Sequence, residues 1–180
     1  RERFEPHIKM ALAPYEDMVM VHNKGRIAEL ATELGILIPE TRLFRSVDDV
    51  YRAVPEMTFP QFIKVREGAA GVGIKKCDDP EELIGAFKEF VEGYGLEPDD
   101  YPIVQSAVPG YDYCVTALFN QGEPVASMTY RNIRAFPRDT GAGALRETVR
   151  FDEAEAESEK LLRHLKWHGI AELDFRKDEE

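Results

Sequence analysis

The chain has 180 residues, a hydrophobic content of 43% and a formal net charge of −11. This length corresponds to one ordinary domain or two small lobes, and the apolar content is sufficient for a buried core. The negative charge argues against a general nucleic-acid surface, because such a surface needs a basic face to bind phosphates. No apolar run approaches the roughly 20 residues that span a bilayer, which argues against a membrane protein.

The two cysteines, Cys77 and Cys114, lie in separate strand-like segments without metal-type spacing. We interpret them as half-buried thiols of a reducing compartment, and we therefore expect a cytoplasmic protein. The sequence begins at Arg1 and ends at Glu180 in a charged tail directly after a strand-like segment. We interpret it as a fragment of a longer protein.

The elements predicted first lie in the N-terminal third. Residues 1–21 carry prolines and mixed charges and predict an entry linker that ends in a short strand at 18–21. Asn23 is predicted to cap a helix, which places Lys24 in the first turn. Because a helix N-terminus is already positive, Lys24 is either simply solvated or shared with an anion. A strand is predicted after residue 40, followed by a short helix capped by Ser46.

Residues 62–74 predict a strand, a glycine-rich loop and a second strand. Glycines permit positive φ and close approach of a ligand, and successive backbone N–H groups in such a loop bind anions. With Lys64 directly before the loop, a phosphate is the natural ligand. The next helix begins only after its predicted cap at Asp79, so the loop is predicted to be a flap between antiparallel strands. A plain glycine-rich turn without a ligand is the alternative.

The C-terminal half predicts more strands than helices. Three β segments are predicted at 103–108, 112–119 and 124–134, and a final strand at 170–175. Asp152 and Glu155 fit a capping box for the helix before that strand. A loop is predicted at 136–143, and four arginines flank it: Arg131, Arg134, Arg138 and Arg146. These arginines either bind an anionic ligand or balance neighbouring carboxylates.

Taken in order, four segments resemble the ATP-grasp superfamily, in particular the branch of the carbamoyl-phosphate synthase large subunit and predicted carboxylate-amine ligases. The match covers roughly residues 14–176. Asn23-Lys24 with 35–41 resembles the entry into the first lobe, and 62–73 resembles the lysine strand and phosphate loop. The segment 104–112 resembles the hinge strand between the lobes. The segment 167–175 resembles the part of the family that carries the first metal-binding carboxylate.

The resemblance implies an α+β fold of ATP-grasp type, with two lobes of antiparallel sheet and flanking helices and the nucleotide between the lobes. It implies a linker at 1–21, a small lobe at 22–103 that carries the flap, and a second lobe at 104–180. It further implies ATP and Mg²⁺ or Mn²⁺ as cofactors. The implied reaction joins a small-molecule carboxylate to an amine through an acyl phosphate, with neither nucleic acid nor membrane as a partner.

The resemblance also assigns roles to individual residues. The cofactor-binding set comprises Lys24, Lys64, Gly68, Gly71 and Gly73 at the phosphates, Gln105, Ala107 and Val108 at the adenine, and Asp112 at the ribose. The metal ligand is Asp174, since magnesium prefers oxygen ligands. The catalytic cations that meet the charge of the transferring phosphoryl group are Lys64, Arg134 and Arg146.

One departure from the family concerns the end of the sequence. The family continues into a strand that bears a metal-bridging glutamate and an asparagine, whereas this sequence stops at residues 178–180. We therefore expect the chain by itself to bind nucleotide weakly and to be inactive. Two alternatives remain open: a non-catalytic nucleotide-binding or regulatory module, and an interaction domain in which the glycine loop is only a turn.

Overall fold

The computed structural model describes residues 3–4, 6–68, 71–136 and 142–177. The helices are α1 (Tyr15–His22), α2 (Lys24–Glu33), α3 (Val47–Ala53), α4 (Pro80–Tyr94) and α5 (Asp152–His164). The strands are β1 (Thr41–Leu43), β2 (Gln61–Lys64), β3 (Ile74–Cys77), β4 (Ile103–Ser106), β5 (Tyr111–Asn120), β6 (Glu123–Phe136), β7 (Ala142–Val149) and β8 (Gly169–Lys177). Among the described residues, no helix combines the length and the apolar character needed to cross a membrane.

The chain divides into two compact units. The continuous unit is Met20–Val108, and the divided unit combines Arg1–Val19 with Pro109–Glu180. Each unit contains one four-stranded antiparallel sheet, with strand order β1-β4-β2-β3 in the continuous unit and β7-β6-β5-β8 in the divided unit. The predicted α+β class, with two antiparallel sheets and flanking helices, is therefore confirmed.

The core of the continuous unit lies between one face of its sheet and the helices α3 and α4. Ile63 and Val104 face this core from β2 and β4, because alternate residues of a strand point to the same face. Leu83 and Phe87 of α4 are fully buried against them. Burying an apolar side chain of this size contributes about 1.5–3 kcal/mol, so α4 is held mainly by this contact.

Three of the predicted helix caps are confirmed. The Asn23 side chain accepts hydrogen bonds from two backbone N–H groups at the start of α2, each 3.1 Å long. Ser46 caps α3 in the same way, and Asp79 caps α4, whose first residue is the predicted Pro80. These oxygens satisfy N–H groups that have no partner inside the helix, which fixes where each helix begins.

The predicted strand, loop and strand form a hairpin of β2 and β3. Lys64 lies directly across from Ile74, and beyond this pair the Val65 N–H donates to the Gly73 carbonyl oxygen at 2.8 Å. Gly73 has φ +69°, and a Cβ there would lie 2.3 Å from a methyl carbon of Val65. A glycine is therefore required at this end of the loop. The loop residues Ala69 and Ala70 lie outside the described residues.

In the divided unit, α5 covers one face of the sheet. The helix buries Leu161 and Leu162, and its Glu155 carboxylate accepts hydrogen bonds from Ser127 and Thr129 of β6 at 3.0 and 2.7 Å. The predicted capping box of Asp152 and Glu155 is wrong, because α5 begins at Asp152 and Glu155 bonds to the sheet instead.

The segment before α1 also packs in the divided unit, at the start of β8. A Cβ at Gly169 would lie 2.1 Å from the Ala11 carbonyl oxygen, and Gly169 has φ +108°. Ala13, in the same segment, is 2% exposed. The segment around Ala11 therefore takes part in the packing at the start of β8.

Two predicted elements differ from the structure. Residues 18–21, predicted as a strand, belong to α1; an apolar run of four residues does not distinguish the two conformations. Residues 142–149 form β7, which was not predicted, and Phe136 belongs to β6 rather than to the predicted loop. Because β7 pairs along β6, the connection between them is shorter than predicted.

Candidate functional site

The glycine-rich loop is joined to the start of α2 by both the backbone and the side chain of Lys24. The Lys24 N–H donates to the Arg66 carbonyl oxygen, and the Lys24 ammonium donates to the Gly68 carbonyl oxygen, both at 2.8 Å. The predicted phosphate-binding residues Lys24 and Gly68 are thus in direct contact. The start of α2 therefore places the Lys24 ammonium beside the loop, where a cation can bind an anion.

The charge of Lys24 is partly removed from water. Burial lowers the pKa of the Lys24 ammonium, and the negative charge of Glu67 opposes this shift. A partly desolvated cation interacts more strongly with an anion than a fully hydrated one, because the local dielectric is lower. Lys24 is therefore suited to hold a phosphate at the loop.

Lys64 is oriented by a chain of hydrogen bonds that crosses the sheet. Its ammonium donates to Gln105 Oε1 at 2.7 Å, and Gln105 Nε2 donates to Thr41 Oγ1 at 2.9 Å. Gln105, predicted to hold adenine, thus orients Lys64, which is predicted to contact the nucleotide phosphates. The Ala107 N–H donates to the Pro60 carbonyl oxygen at 3.1 Å, and Val108 is the last residue of the continuous unit.

The open face of the divided unit carries the predicted metal ligand. Asp174 lies directly across from Cys114, whose Sγ donates to Asp174 Oδ1 at 3.1 Å. Glu172, two residues before Asp174, lies on the same face and accepts hydrogen bonds from Tyr130 at 2.7 Å and from Thr116 at 3.0 Å. The ligand atoms of Cys114, Glu172 and Asp174 lie within 4.8 Å of one another.

The two carboxylates of this group fit a magnesium ion. Glu172 and Asp174 are exposed carboxylates, and Mg²⁺ prefers one or two carboxylates together with water and phosphate oxygens. Sequence analysis named Asp174 and missed Glu172. The signal was present, because two residues spaced by two in a strand point to the same face.

Both donors beside the carboxylates keep their protons at neutral pH. Burial raises the pKa of the Cys114 thiol to about 12, and the neighbouring Asp174 carboxylate adds to the shift. Burial also raises the pKa of the Tyr130 hydroxyl, and its hydrogen bond to Glu172 acts in the same direction. The thiol and the phenol therefore remain hydrogen-bond donors that hold the two carboxylates in place.

The four arginines are placed differently. The Arg146 guanidinium lies over the Tyr130 ring, 4.5 Å from its centre, close to the carboxylate face. Arg134 lies across from Leu145, between two irregularities in the register of β6 and β7. Arg131 forms an ion pair with Glu147, which favours charge balance for that arginine. Arg138 lies outside the described residues.

Asp112, the predicted ribose ligand, is exposed at the start of β5. It lies across from Arg176, whose guanidinium is 3.2 Å from Asp112 Oδ1. An exposed ion pair of this kind contributes little to stability, so the Asp112 carboxylate can exchange Arg176 for another partner at small cost.

Comparison with known proteins begins at the sequence level. No family model matches the sequence. Over 106 residues the chain is 28% identical to a formate-dependent phosphoribosylglycinamide formyltransferase of Wolinella succinogenes, a match of 58% of this chain and 27% of that protein. The chain thus spans about a quarter of the length of this relative.

Solved structures match almost the whole chain. The biotin carboxylase domain of Hydrogenobacter thermophilus 2-oxoglutarate carboxylase, solved with MgADP and bicarbonate, has a TM-score of 0.74 at 18% identity over 97% of this chain and 41% of that chain. The D-alanine–D-alanine ligase of Bacillus anthracis, complexed with ATP, has a TM-score of 0.67 at 16% identity over 99% of this chain and 59% of that chain. At these identities the likeness concerns the fold.

Proposed function

We propose that this chain, which has the ATP-grasp fold, is the ATP-binding domain of an ATP-dependent carboxylate-amine ligase. The proposal rests on one observation: the chain carries two chemically complementary sets of side chains, one of cations and one of carboxylates. The continuous unit presents Lys24 and Lys64 at a glycine-rich hairpin, and the divided unit presents Glu172 and Asp174 on an open face. Cations suit the phosphates of ATP, and carboxylates suit the accompanying magnesium ion.

The residue roles in this proposal follow the fold resemblance. Gly68, Gly71 and Gly73 form the loop over the phosphates together with Lys24 and Lys64. Gln105 and the backbone at Ala107 and Val108 hold the adenine, and Asp112 holds the ribose. Asp174 and Glu172 hold Mg²⁺ or Mn²⁺, which neutralises phosphate charge when bound.

The proposed reaction has two steps. A carboxylate oxygen of the substrate attacks the γ-phosphorus, the bond from that phosphorus to the bridging oxygen breaks, and ADP leaves. The amine nitrogen then attacks the carbonyl carbon of the acyl phosphate, inorganic phosphate leaves with its oxygen, and the nitrogen gives a proton to solvent. Fixed cations lower the energy of the first step because negative charge spreads over the transferring group. Lys64, Arg146 and Arg134 are the residues assigned to this role.

Two comparisons support this class of substrates. The name of the Wolinella succinogenes relative contains formate, which is a carboxylate, and phosphoribosylglycinamide, which carries an amine. The Bacillus anthracis protein is named as a ligase of two alanines, which also joins a carboxylate to an amine. The narrower likeness to carbamoyl-phosphate synthase stays a prediction. So do the division into a linker at 1–21 and lobes at 22–103 and 104–180, and the cytoplasmic location.

The proposal is tested by nucleotide binding. A non-hydrolysable ATP analogue with magnesium should raise the melting temperature of the protein, because a ligand that binds only the native state stabilises it by about 2.7 kcal/mol at a hundredfold excess over Kd. Lys64→Ala should weaken binding by about tenfold or more, since a charge-assisted contact contributes about 1.5–3 kcal/mol. Lys76→Ala is the matched control, because Lys76 is an exposed β3 lysine paired with Asp78.

Three outcomes are informative. No stabilisation of the wild-type chain, or equal stabilisation of Lys64→Ala, would refute the proposed phosphate site. Stabilisation of this chain together with carboxylate-dependent ADP release by the full-length protein would support the ligase. Stabilisation of this chain without ADP release by the full-length protein, from any carboxylate and amine pair, would favour a non-catalytic nucleotide-binding module.

A further inference from the structure

The backbone N–H groups at the start of α2 already have acceptors within the protein. The Asn23 N–H donates to the Met20 carbonyl oxygen at 3.2 Å. The Lys24 N–H donates to the Arg66 carbonyl oxygen at 2.8 Å, and the next two N–H groups of the helix donate to the Asn23 side chain. These are the N–H groups that the turns of a helix leave unpaired. An anion beside α2 must therefore be bound by side chains, so its binding depends on where the Lys24 ammonium lies.

The side chain of Arg66 connects three segments of the continuous unit. Its Nε donates to the Tyr101 carbonyl oxygen at 2.8 Å, in the segment before β4. Its guanidinium also lies against the first turn of α2, where a Cβ at the buried Gly25 would be 3.1 Å from Arg66 Nη1. The planar guanidinium is thus held at two places, which fixes the backbone that carries it.

That backbone determines the position of Lys24. The Arg66 carbonyl oxygen accepts from the Lys24 N–H, and two residues further along the chain the Gly68 carbonyl oxygen accepts from the Lys24 ammonium. Lys64, the other proposed phosphate ligand, lies two residues before Arg66. Arg66 therefore lies at the point where the start of α2 meets the glycine-rich hairpin.

We infer that Arg66 is a positioning residue, which holds Lys24 beside the glycine-rich loop in the geometry that the proposed phosphate site needs. The inference rests on the proposed function, because Lys24 is assigned there to the nucleotide phosphates. Arg66 acts through Lys24, so removal of its guanidinium should weaken phosphate binding only while Lys24 is present.

The first test needs no nucleotide and measures amide hydrogen exchange by nuclear magnetic resonance. The Lys24 N–H has no partner inside its helix, so its protection reports its bond to the Arg66 carbonyl oxygen. Arg66→Ala keeps that carbonyl group and removes the guanidinium. The variant should speed exchange of the Lys24 N–H by about tenfold or more, relative to that of the Phe87 N–H in the buried core.

Arg45→Ala is the matched control for charge. Arg45 is an exposed arginine of the same unit, paired with Asp99 at 2.6 Å, so its loss changes the net charge equally. The exchange of the Lys24 N–H should be the same in Arg45→Ala and in the wild type.

The second test measures binding of a non-hydrolysable ATP analogue with magnesium. Arg66→Ala and Lys24→Ala should each weaken binding by about tenfold. The double variant should bind about as weakly as Lys24→Ala alone, because two residues that act through one contact do not contribute additively. Arg66→Lys keeps the charge but lacks the planar fork, and it should bind as weakly as Arg66→Ala.

Unchanged exchange of the Lys24 N–H in Arg66→Ala, additive losses of affinity, or wild-type affinity in Arg66→Lys would each overturn the inference. If circular dichroism shows that Arg66→Ala does not fold, Arg66→Lys decides by the same two measurements. The two proposals fail separately. A wild-type chain that binds no nucleotide removes the proposed function, while faster exchange in Arg66→Ala still supports the positioning of Lys24. Nucleotide binding with unchanged exchange removes the role of Arg66 alone.

Discussion

The two sheets share a plan but differ in the chemistry of their open faces. In each unit, helices cover one face of a four-stranded antiparallel sheet, and the opposite face carries polar residues. The continuous unit presents Lys64 and the hairpin held by Lys24, and the divided unit presents Glu172 and Asp174. The comparison shows that the alternation of the strands places the core residues on one face and the predicted site residues on the other.

The covered faces also differ. The continuous unit is held by an apolar core in which the Phe87 ring makes edge contacts with Phe44 and Tyr101, at 6.0 and 5.6 Å between ring centres. In the divided unit, hydrogen bonds also join the helix to the sheet, because the Glu155 carboxylate of α5 accepts from two hydroxyl groups of β6. The two units should therefore respond differently to substitutions in their cores.

The largest effect is expected for Phe87→Ala. Removal of this fully buried ring should destabilise the continuous unit by about 3–5 kcal/mol, because transfer energy is lost and a cavity remains. Met128→Ala, at a 49% exposed residue of the divided unit, should change stability by less than about 0.5 kcal/mol. Urea unfolding is followed by circular dichroism for the whole chain and by fluorescence of Trp167 for the divided unit.

The same experiment tests whether the two units unfold independently of each other. If Phe87→Ala shifts the Trp167 transition as far as the circular dichroism transition, the two units unfold as one body. If only the circular dichroism transition moves, they unfold separately.

The next effect concerns the hairpin of the cationic face. Gly73→Ala should destabilise the chain by about 1–3 kcal/mol, because the residue has φ +69° and the new Cβ would lie 2.3 Å from Val65. Gly85→Ala is the matched control, since Gly85 lies in α4 and a Cβ there meets nothing within 4 Å. That control should stabilise the chain by about 0.5–1 kcal/mol. Thermal unfolding measures both, and equal effects would show that the hairpin is not constrained.

A smaller effect is expected when the hydrogen bonds between α5 and β6 are removed in the divided unit. Glu155→Ala should cost about 1–2 kcal/mol, because the hydroxyl of Thr129, a residue only 1% exposed, loses its acceptor. Glu153→Ala removes a neighbouring exposed acid of the same helical turn and should stay within about 0.5 kcal/mol. Urea unfolding followed by Trp167 fluorescence measures the loss of stability in each variant. Similar losses for Glu155→Ala and Glu153→Ala would argue against a stabilising role of the hydrogen bonds between α5 and β6.

The smallest effect is a pH dependence in the apolar core. Burial raises the pKa of the Cys77 thiol from its ordinary value of 9.0 to about 11. Between these values the unfolded chain loses a proton that the folded chain keeps, so stability falls as pH rises from about 9 to 11. Cys77→Ala should make the unfolding free energy less dependent on pH in this range, by less than the dependence that one released proton per molecule produces. Urea unfolding at several pH values measures the difference, and identical slopes would contradict a buried neutral thiol.

Local signals predicted the continuous unit well. Asn23, Ser46 and Asp79 each place a side-chain oxygen where a helix has unpaired N–H groups, so three helix starts could be located from single residues. The hairpin followed from strand alternation interrupted by glycines. The four segments that resemble the ATP-grasp superfamily then predicted both sheets.

The divided unit was harder to predict because its features depend on partners distant in the sequence. The segment 142–149 contains glycine, alanine and charged residues and becomes a strand only by pairing with β6. Glu155 looked like a capping residue, but two hydroxyl groups of β6 compete for it. The hydrogen bonds that connect Lys64 to Gln105 and Cys114 to Asp174 also join distant strands.

The division of the chain has a consequence for its synthesis on the ribosome. The continuous unit is complete once Val108 has emerged, whereas the segment before α1 packs against Gly169, near the other end of the sequence. At about 5–20 residues per second, that segment waits about 8–30 seconds for its partner strand. The segment that contains Ala11 therefore reaches its native contacts only after β8 has been made, and during this interval the sheet of the continuous unit is complete while that of the divided unit is not.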